Sequence, residues 1–520
     1  MEVTAPVDYN LAIIGAGPAG LSAAARAAEI DRRAKRGAPS YVLLEASPKM
    51  AKTIQRYQKG KHVMAEPGFL DLRSDLRFGA GSRERVLESW MEDAGRLSIN
   101  IRYNAEVRKV SGQSGDFAIQ LADGQRLRAA VIVLAIGLQG NPRKMGVPGE
   151  QFDEVQYQLD DPKEFRDETI LVVGAGDAAI ENALALSAQN DVWILNRGNE
   201  FSRAKDGNLS AVLAAISDRQ HRLGCYYETR PKAITRAAGA TRPLAVTVEM
   251  PAGEKTIECH RIIARLGAEP ARAFVESIGI RFPGPQTDAI PALSRRYESN
   301  VPGVFIIGSL AGYPLIKQAM NQGYDVAEYV YGNDIKPADY PLLEWQLCGL
   351  PFEREADELL DRFKSIVPMF RELNALAFRE LIIESEVIVA YPDGPEFTEA
   401  QRKVAAVRRD IADKPGRPRV TRVIREGDMI YEAGEFGTSF FTIAYGEVTL
   451  ETEGPMPVTT HLKLGDFFGE MSLLSGRQRT ERAIAGAGCI LMETPRRTMV
   501  KLMNSNEEVR HGIDWIFVVR

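Results

Sequence analysis

Twice in this chain an apolar strand runs straight into a glycine turn and then an alanine-rich helix. The first instance is Leu11-Ala-Ile-Ile-Gly15-Ala16-Gly17-Pro18-Ala19-Gly20, and the second is Ile170-Leu-Val-Val-Gly174-Ala-Gly176-Asp177-Ala178-Ala179. In the G-x-G-x-x-G spacing the first glycine permits a tight turn and the second lets backbone approach a pyrophosphate. The third lets helix and strand pack closely, while the first helix amides point at phosphate. Ala179 in place of the third glycine is a permitted variant. One such motif also suits an ordinary βαβ turn. Two in a single chain predict two dinucleotides facing each other, most simply a flavin and a nicotinamide.

The strands that follow the two motifs differ at their ends. Tyr41-Val-Leu-Leu-Glu45-Ala46 ends in an acid that can accept hydrogen bonds from a ribose. Glu45 lies further from Gly15 than the roughly 20 residues usual for this fingerprint, and the polar insert from Asp31 to Ser40 absorbs the excess. Asp191-Val-Trp-Ile-Leu195 ends instead in Asn196-Arg197, with Arg203 and Lys205 close behind. An arginine at that place suits a ribose 2′-phosphate, which favours NADPH over NADH. The competing reading of these cations is solvated loop charge.

At 520 residues the chain is too long for one core, and its net charge of −5 gives no global pull towards nucleic acid or membrane. The N-terminus lacks the apolar run of a signal peptide. The run from Ala129 to Leu138 is too short for a membrane span and reads as a buried strand. Cys225, Cys259, Cys348 and Cys489 lie far apart, with no C-x-x-C, so neither a metal site nor a local dithiol is signalled. A cytoplasmic protein without nucleic-acid or membrane partners is expected. The polar and aromatic stretch 48–82, with Arg56-Tyr-Gln, is placed to cover a cofactor, and His62 within it reads as a loop histidine. Segments from 99 to 134 alternate like antiparallel strands. Their last strand ends in Ala135-Ile-Gly137, small enough for the chain to pass close to a cofactor.

With these residues in place, the stretch 8–332 resembles the thioredoxin-reductase-like flavoproteins. Val301-Pro-Gly-Val-Phe-Ile-Ile-Gly308 and the helix opening Ile316-Lys317-Gln318-Ala319 extend the likeness, although Ser309 stands where that family usually has aspartate. The resemblance implies a discontinuous FAD-binding domain (1–150 and 285–332) around a NAD(P)H-binding domain (151–284), and a homodimer. It assigns Gly15, Ala16, Gly17, Pro18, Ala19, Gly20, Glu45, Ala46, Val107, Ala135, Gly137, Gly308, Ser309, Lys317, Gln318 and Ala319 to FAD. It assigns Gly174, Gly176, Asp177, Ala178, Asn196, Arg197, Arg203 and Gly267 to NADPH. Where thioredoxin reductases carry their dithiol, this chain has Tyr157-Gln-Leu-Asp-Asp161, so it resembles the dithiol-free members more closely.

After a proline-punctuated linker (333–357), residues 358–520 resemble a cyclic-nucleotide-binding domain, a β-roll with flanking helices. Phe468-Gly469-Glu470-Met471 through Arg479-Thr480 matches its phosphate cassette, with Glu470 implied for the ribose 2′-OH and Arg479 for the cyclic phosphate of cyclic AMP or GMP. The chain stops where that family's lid helix would begin. A basic insertion (392–425) carries nine Lys and Arg between 402 and 425 against Asp410 and Asp413. It reads either as a solvated face or as a dock for an acidic partner.

The expected fold class is α/β, with two Rossmann-like nucleotide-binding domains (three-layer ββα/βαβ) and a C-terminal β-roll. The expected function is FAD-dependent NAD(P)H oxidation, with electrons passing to an unidentified ferredoxin-like, flavodoxin-like or small-molecule acceptor under possible cyclic-nucleotide control. No side chain is assigned as catalytic, because hydride chemistry belongs to the cofactors. A catalytically silent nucleotide sensor and a low-molecular-weight disulfide reductase remain as alternatives.

Overall fold

The computed structural model describes residues 7–505 except 139–140, 219–221, 239–240, 270–271, 285–288, 372, 417, 453–456 and 470–477. Strand Tyr9–Ile14 lies at the heart of a seven-stranded sheet, parallel to Tyr41–Leu44 on one side and Arg126–Leu134 on the other. Leu11, Ala12 and Ile13 are fully buried, as a strand covered on both faces requires. Strand Arg126–Leu134 forks the sheet. Its first half pairs antiparallel with Asp116–Leu121, and its second half pairs in parallel with Val304–Ile306, Ile132 opposite Val304. Residues from beyond 300 therefore return to the first sheet.

Helix Pro18–Arg33 packs along helix Ile316–Val330, and small residues allow the close approach. A side chain at Gly323 would run into the carbonyl of Ala19 and sit 2.8 Å from the amide of Ala23. Further along, the buried Arg26 pairs with Glu328 and lies 4.4 Å over the Tyr324 ring.

The second unit is a five-stranded parallel sheet in the order Val155–Gln156, Arg261–Ala264, Thr169–Val173, Asp191–Leu195, Leu223–Tyr226. A three-stranded antiparallel sheet (Arg230–Arg236, Leu244–Met250, Gly253–Cys259) completes it. The stretch 56–66 ties the two units together. Lys61 pairs with Glu181, Asn182 Nδ2 donates to Gln58 Oε1 at 3.1 Å, and the Lys59 amide donates to Asp160 O at 2.7 Å.

The C-terminal unit contains a five-stranded and a four-stranded sheet, a β-roll pattern carried by the short strands with glycine turns. Its core begins earlier than the proline pattern predicted. Residues 340–347 form a helix, and Tyr340, Leu343, Leu347 and Leu350 pack with Phe363, Phe378 and Met492. The stretch expected as linker is thus largely core, because its apolar residues find a face to bury. The basic insertion folds onto this unit with Arg402, Lys403, Arg408, Arg409 and Arg425 left exposed. Helix Pro395–Asp410 packs on strand Arg422–Arg425, Arg402 pairs with Glu399, and Arg425 pairs with Asp393. Lys414 reaches the first unit, 2.7 Å from Asp71. Among the described residues, no helix is long and apolar enough to cross a membrane, and no His/Cys/Asp/Glu group is arranged to hold a metal ion.

Candidate functional site

The C-terminal ends of the first sheet's strands open on a cavity of about 740 Å³. Twelve of the sixteen residues expected at a flavin line it: Gly15, Gly17, Pro18, Ala19, Glu45, Ala46, Val107, Ala135, Gly137, Gly308, Ser309 and Ala319. The local geometry explains the glycines. Gly15 has φ +103°, and a Cβ there would lie 2.6 Å from the Ala135 carbonyl oxygen. At Gly17 the nearest atom to an added Cβ is 3.9 Å away, so the free space lies on the cavity side, where a pyrophosphate needs backbone contact. Pro18 opens the helix, no side chain caps its N-terminus, and its first turn holds no acid. Such an end attracts anions.

Glu45 is 7 % exposed. Its Oε2 accepts the Ala16 amide and its Oε1 the Ser47 amide, both at 2.8 Å. Ser309 Oγ accepts the Leu138 amide at 3.1 Å, joining the two strand ends that border the cavity. Together these features fit FAD: a glycine cradle, an uncapped helix N-terminus, and a buried carboxylate at the second strand's end.

The other four expected residues stand elsewhere. Ala16 gives its amide to Glu45, and Gly20 is pressed against the Gly15 carbonyl, so both shape the turn. Lys317 turns away and donates to Pro67 O at 2.8 Å. Gln318 lines a separate small polar cavity beside Tyr297 and Asp325. Helix periodicity is the reason: Ile316 and Ala319 share the face towards the large cavity, while 317 and 318 do not.

Three aromatic residues stand on the cavity wall, Tyr57, Phe274 and Tyr313, and the last two were not singled out from sequence. Tyr57 lies in the stretch expected to cover a cofactor. Phe274 sits on helix Arg272–Ser277, inside the range assigned to the second unit, yet it packs against the first unit's core. Tyr57 also touches the second unit electrostatically. Burial raises its hydroxyl pKa, Glu181 adds to this and Arg265 opposes it. Lys61 Nζ lies 4.5 Å over the same ring.

At the second fingerprint Gly174 has φ +125°, and a Cβ would sit 2.5 Å from the Arg265 carbonyl oxygen. Gly176 caps helix Asp177–Ser187 without a side-chain bond, Ala178 follows in its first turn, and Gly267 (φ +84°) lies in the turn after strand Arg261–Ala264. Two polar residues expected to touch nucleotide are already engaged. Asp177 Oδ1 accepts from the Lys205 amide (2.9 Å) and Asn208 Nδ2 (2.8 Å). Asn196, 2 % exposed, accepts the Gly198 amide at 2.9 Å and donates to Glu200 O at 3.0 Å. Both organise the loop that presents Arg197 and Arg203, which are exposed at the strand's end.

In the C-terminal unit, Arg479 is 6 % exposed, lies 4.4 Å over Tyr431, and donates to Gly469 O and Ser439 O at 2.8 Å each. Thr480 follows it at the start of strand Glu481–Ala485. Glu470 and Met471 lie outside the described residues.

All four cysteines are free. Burial pushes the thiols of Cys225, Cys259 and Cys489 up to about 12 and raises that of Cys348. None lines the large cavity. Such thiols are poor nucleophiles at neutral pH.

Residues 12–308, more than half of the chain, match the family model for pyridine nucleotide-disulphide oxidoreductase, and residues 421–506 match that for the cyclic nucleotide-binding domain. Among curated proteins, the chain is 28% identical over 315 residues to a ferredoxin–NADP reductase of Ignicoccus hospitalis, covering 60% of this chain and 93% of that one. A ferredoxin–NADP reductase of Flavobacterium johnsoniae is 26% identical, covering 59% and 83%. Among solved structures, the bacillithiol disulfide reductase of Staphylococcus aureus superposes with a TM-score of 0.53 at 21% identity, covering 62% of this chain and 97% of that one. A thioredoxin reductase of Lactococcus lactis gives 0.51 at 22%, covering 62% and 98%. These likenesses show a shared fold. The chain belongs to the pyridine nucleotide-disulphide oxidoreductase family, and it joins that oxidoreductase to a C-terminal cyclic nucleotide-binding domain.

Proposed function

We propose that this protein passes electrons from NADPH through FAD to a small iron–sulfur or flavin protein. The chain is an FAD-dependent NADPH oxidoreductase with a nucleotide-binding regulatory domain. The acceptor class is the step beyond that, and it draws on the ferredoxin–NADP reductases among its relatives. One observation carries the reading. Tyr57 lines the flavin-sized cavity, and Lys61, 4.5 Å over its ring, pairs with Glu181 on the helix that the second fingerprint opens. This supports a reading in which the two candidate dinucleotide sites meet at one wall.

When both cofactors are bound, they supply hydride transfer from nicotinamide to flavin. The chain's own part is position and electrostatics. The helix N-terminus at Gly17-Pro18 would hold the pyrophosphate, and Glu45 would receive the adenosine ribose. Tyr57 and Tyr313 wall off water, while the Lys61–Glu181 pair fixes one unit against the other. Beside the cavity, an open cleft between the units is lined by Lys49, Lys52, Arg56, Lys59 and Arg83 from the first unit and by Asp160, Asp161 and Glu164 from the second, and its cationic side offers an acidic carrier an approach. The basic insertion keeps Arg402, Lys403, Arg408, Arg409 and Arg425 exposed and offers such a carrier a second cationic surface.

Anaerobic NADPH should bleach the bound flavin, and reduced protein should then pass electrons to ferredoxin or flavodoxin faster than to quinones or disulfides. Flavin bleaching without transfer to any protein carrier would leave the oxidoreductase standing and remove the acceptor. Light scattering checks the homodimer expected from the resemblance.

A further inference from the structure

The candidate phosphate arginine and the flavin cavity lie in different units, yet a run of largely buried groups, linked by hydrogen bonds and by the backbone of strand Ile490–Pro495, lies between them. Arg479 Nη2 donates to Ser439 O at 2.8 Å, and Ser439 Oγ donates to Glu493 Oε1 at 2.5 Å. Beside Glu493, Thr494 Oγ1 lies 3.0 Å from Ser385 Oγ, which donates to Leu381 O at 2.6 Å. Ser385 and Thr494 are fully buried. Leu381 belongs to helix Ala375–Glu384, and this helix is shared between two cores. Leu376 packs in the core of the first unit, while Phe378, Leu381 and Ile382 pack in the C-terminal core.

Between them Arg379, 2 % exposed, pairs with Asp339 and has Tyr297 and Tyr313 within its field. Tyr313 closes the run. It lines the flavin cavity, and its hydroxyl reaches the Leu376 carbonyl at 3.5 Å.

We propose that helix Ala375–Glu384 couples the two sites: a cyclic nucleotide held at Arg479 alters the wall of the flavin cavity through Ser439, Ser385 and Arg379. This rests on reading Arg479 as the phosphate residue and the large cavity as the FAD site. The physical argument has two parts. An incoming phosphate competes with the Ser439 carbonyl for the guanidinium, and the charged partner is the stronger acceptor. Close-packed interiors then respond by shifting whole elements between discrete arrangements. Breaking a buried ion pair leaves an uncompensated charge, so Arg379 and Asp339 move together.

Continuity is not coupling, so the test measures coupling directly. Calorimetry on the full FAD-loaded protein gives the affinity for cyclic AMP and cyclic GMP with the flavin oxidised and then reduced by dithionite. Coupling predicts that the two affinities differ by about 5-fold or more. Amide hydrogen exchange should change across 375–384 when the nucleotide binds. Ser385→Ala and Thr494→Val should retain FAD and nucleotide but erase the affinity difference. Binding with equal affinity in both redox states, or variants that respond as the wild type does, would overturn the proposal. Absence of binding heat would remove the reading of Arg479 and the proposal with it, and flavin absorbance reports separately whether FAD is held.

Discussion

The Ala16 amide donates to Glu45 Oε2 at 2.8 Å, tying the first glycine turn to the end of the neighbouring strand. Its other oxygen takes the Ser47 amide. The carboxylate therefore sets the shape of the turn as well as facing the cavity. Glu45→Ala should weaken FAD retention by about 1.5–3 kcal/mol, the range for hydrogen bonds to a charged group. Flavin fluorescence during dilution measures it, and unchanged retention would show that Glu45 does not serve the cofactor.

Arg197 decides nucleotide preference in our reading. NADPH should reduce the flavin more efficiently than NADH, and Arg197→Ala should cost on the order of 10- to 100-fold in NADPH affinity while sparing NADH. Stopped-flow bleaching with both nucleotides is the measurement. Equal use of both by the wild type would contradict the assignment.

No cysteine should be needed for turnover. With three thiols pushed up to about 12 by burial, thiolate is scarce at pH 7. Cys225→Ser and Cys348→Ser at the partly exposed sites, with Cys259→Ala and Cys489→Ala in the cores, should leave NADPH-driven flavin bleaching and transfer to the acceptor intact. A single variant that folds, holds FAD and yet loses transfer would point to a thiol relay.

Asp325 makes stability depend on pH. It is 1 % exposed, and burial raises its pKa to about 7 despite the Ala338 amide at 3.0 Å and Arg73 at 3.3 Å. In the unfolded chain it ionises near 4. Between those values the native state holds a proton that the unfolded state has lost, so this group's contribution to stability falls as pH rises through the window and levels off above it. Asp325→Asn should flatten the dependence of the urea midpoint between about pH 4 and 7. Parallel profiles for variant and wild type would show that Asp325 titrates normally.

Both fingerprints, the strands leading into them and the return of Val304–Ile306 were legible in the sequence. They rest on local backbone demands, such as the positive φ of Gly15 and Gly174, which few other residues satisfy. Glu45, Ala135, Gly137 and Gly308 followed because strand ends meet at one edge of a parallel sheet. What each polar side chain does was decided elsewhere. Asn196 and Asp177 have the chemistry to hold a nucleotide, and in the folded chain each also accepts a backbone amide, from Gly198 and Lys205. Lys317 and Gln318 sit in the expected helix turn but face away from the large cavity. Phe274 comes from a segment with no motif and Tyr313 from the turn between two matched stretches, and chain packing brings both to the cavity wall. Helix Tyr340–Leu347 read as linker because prolines punctuate it, and its apolar side became core only once Phe363, Phe378 and Met492 were there to receive it. Sequence by itself determined the turns and strands whose geometry is local. Tertiary structure decided which buried partner each side chain meets, because that depends on residues far away in the chain.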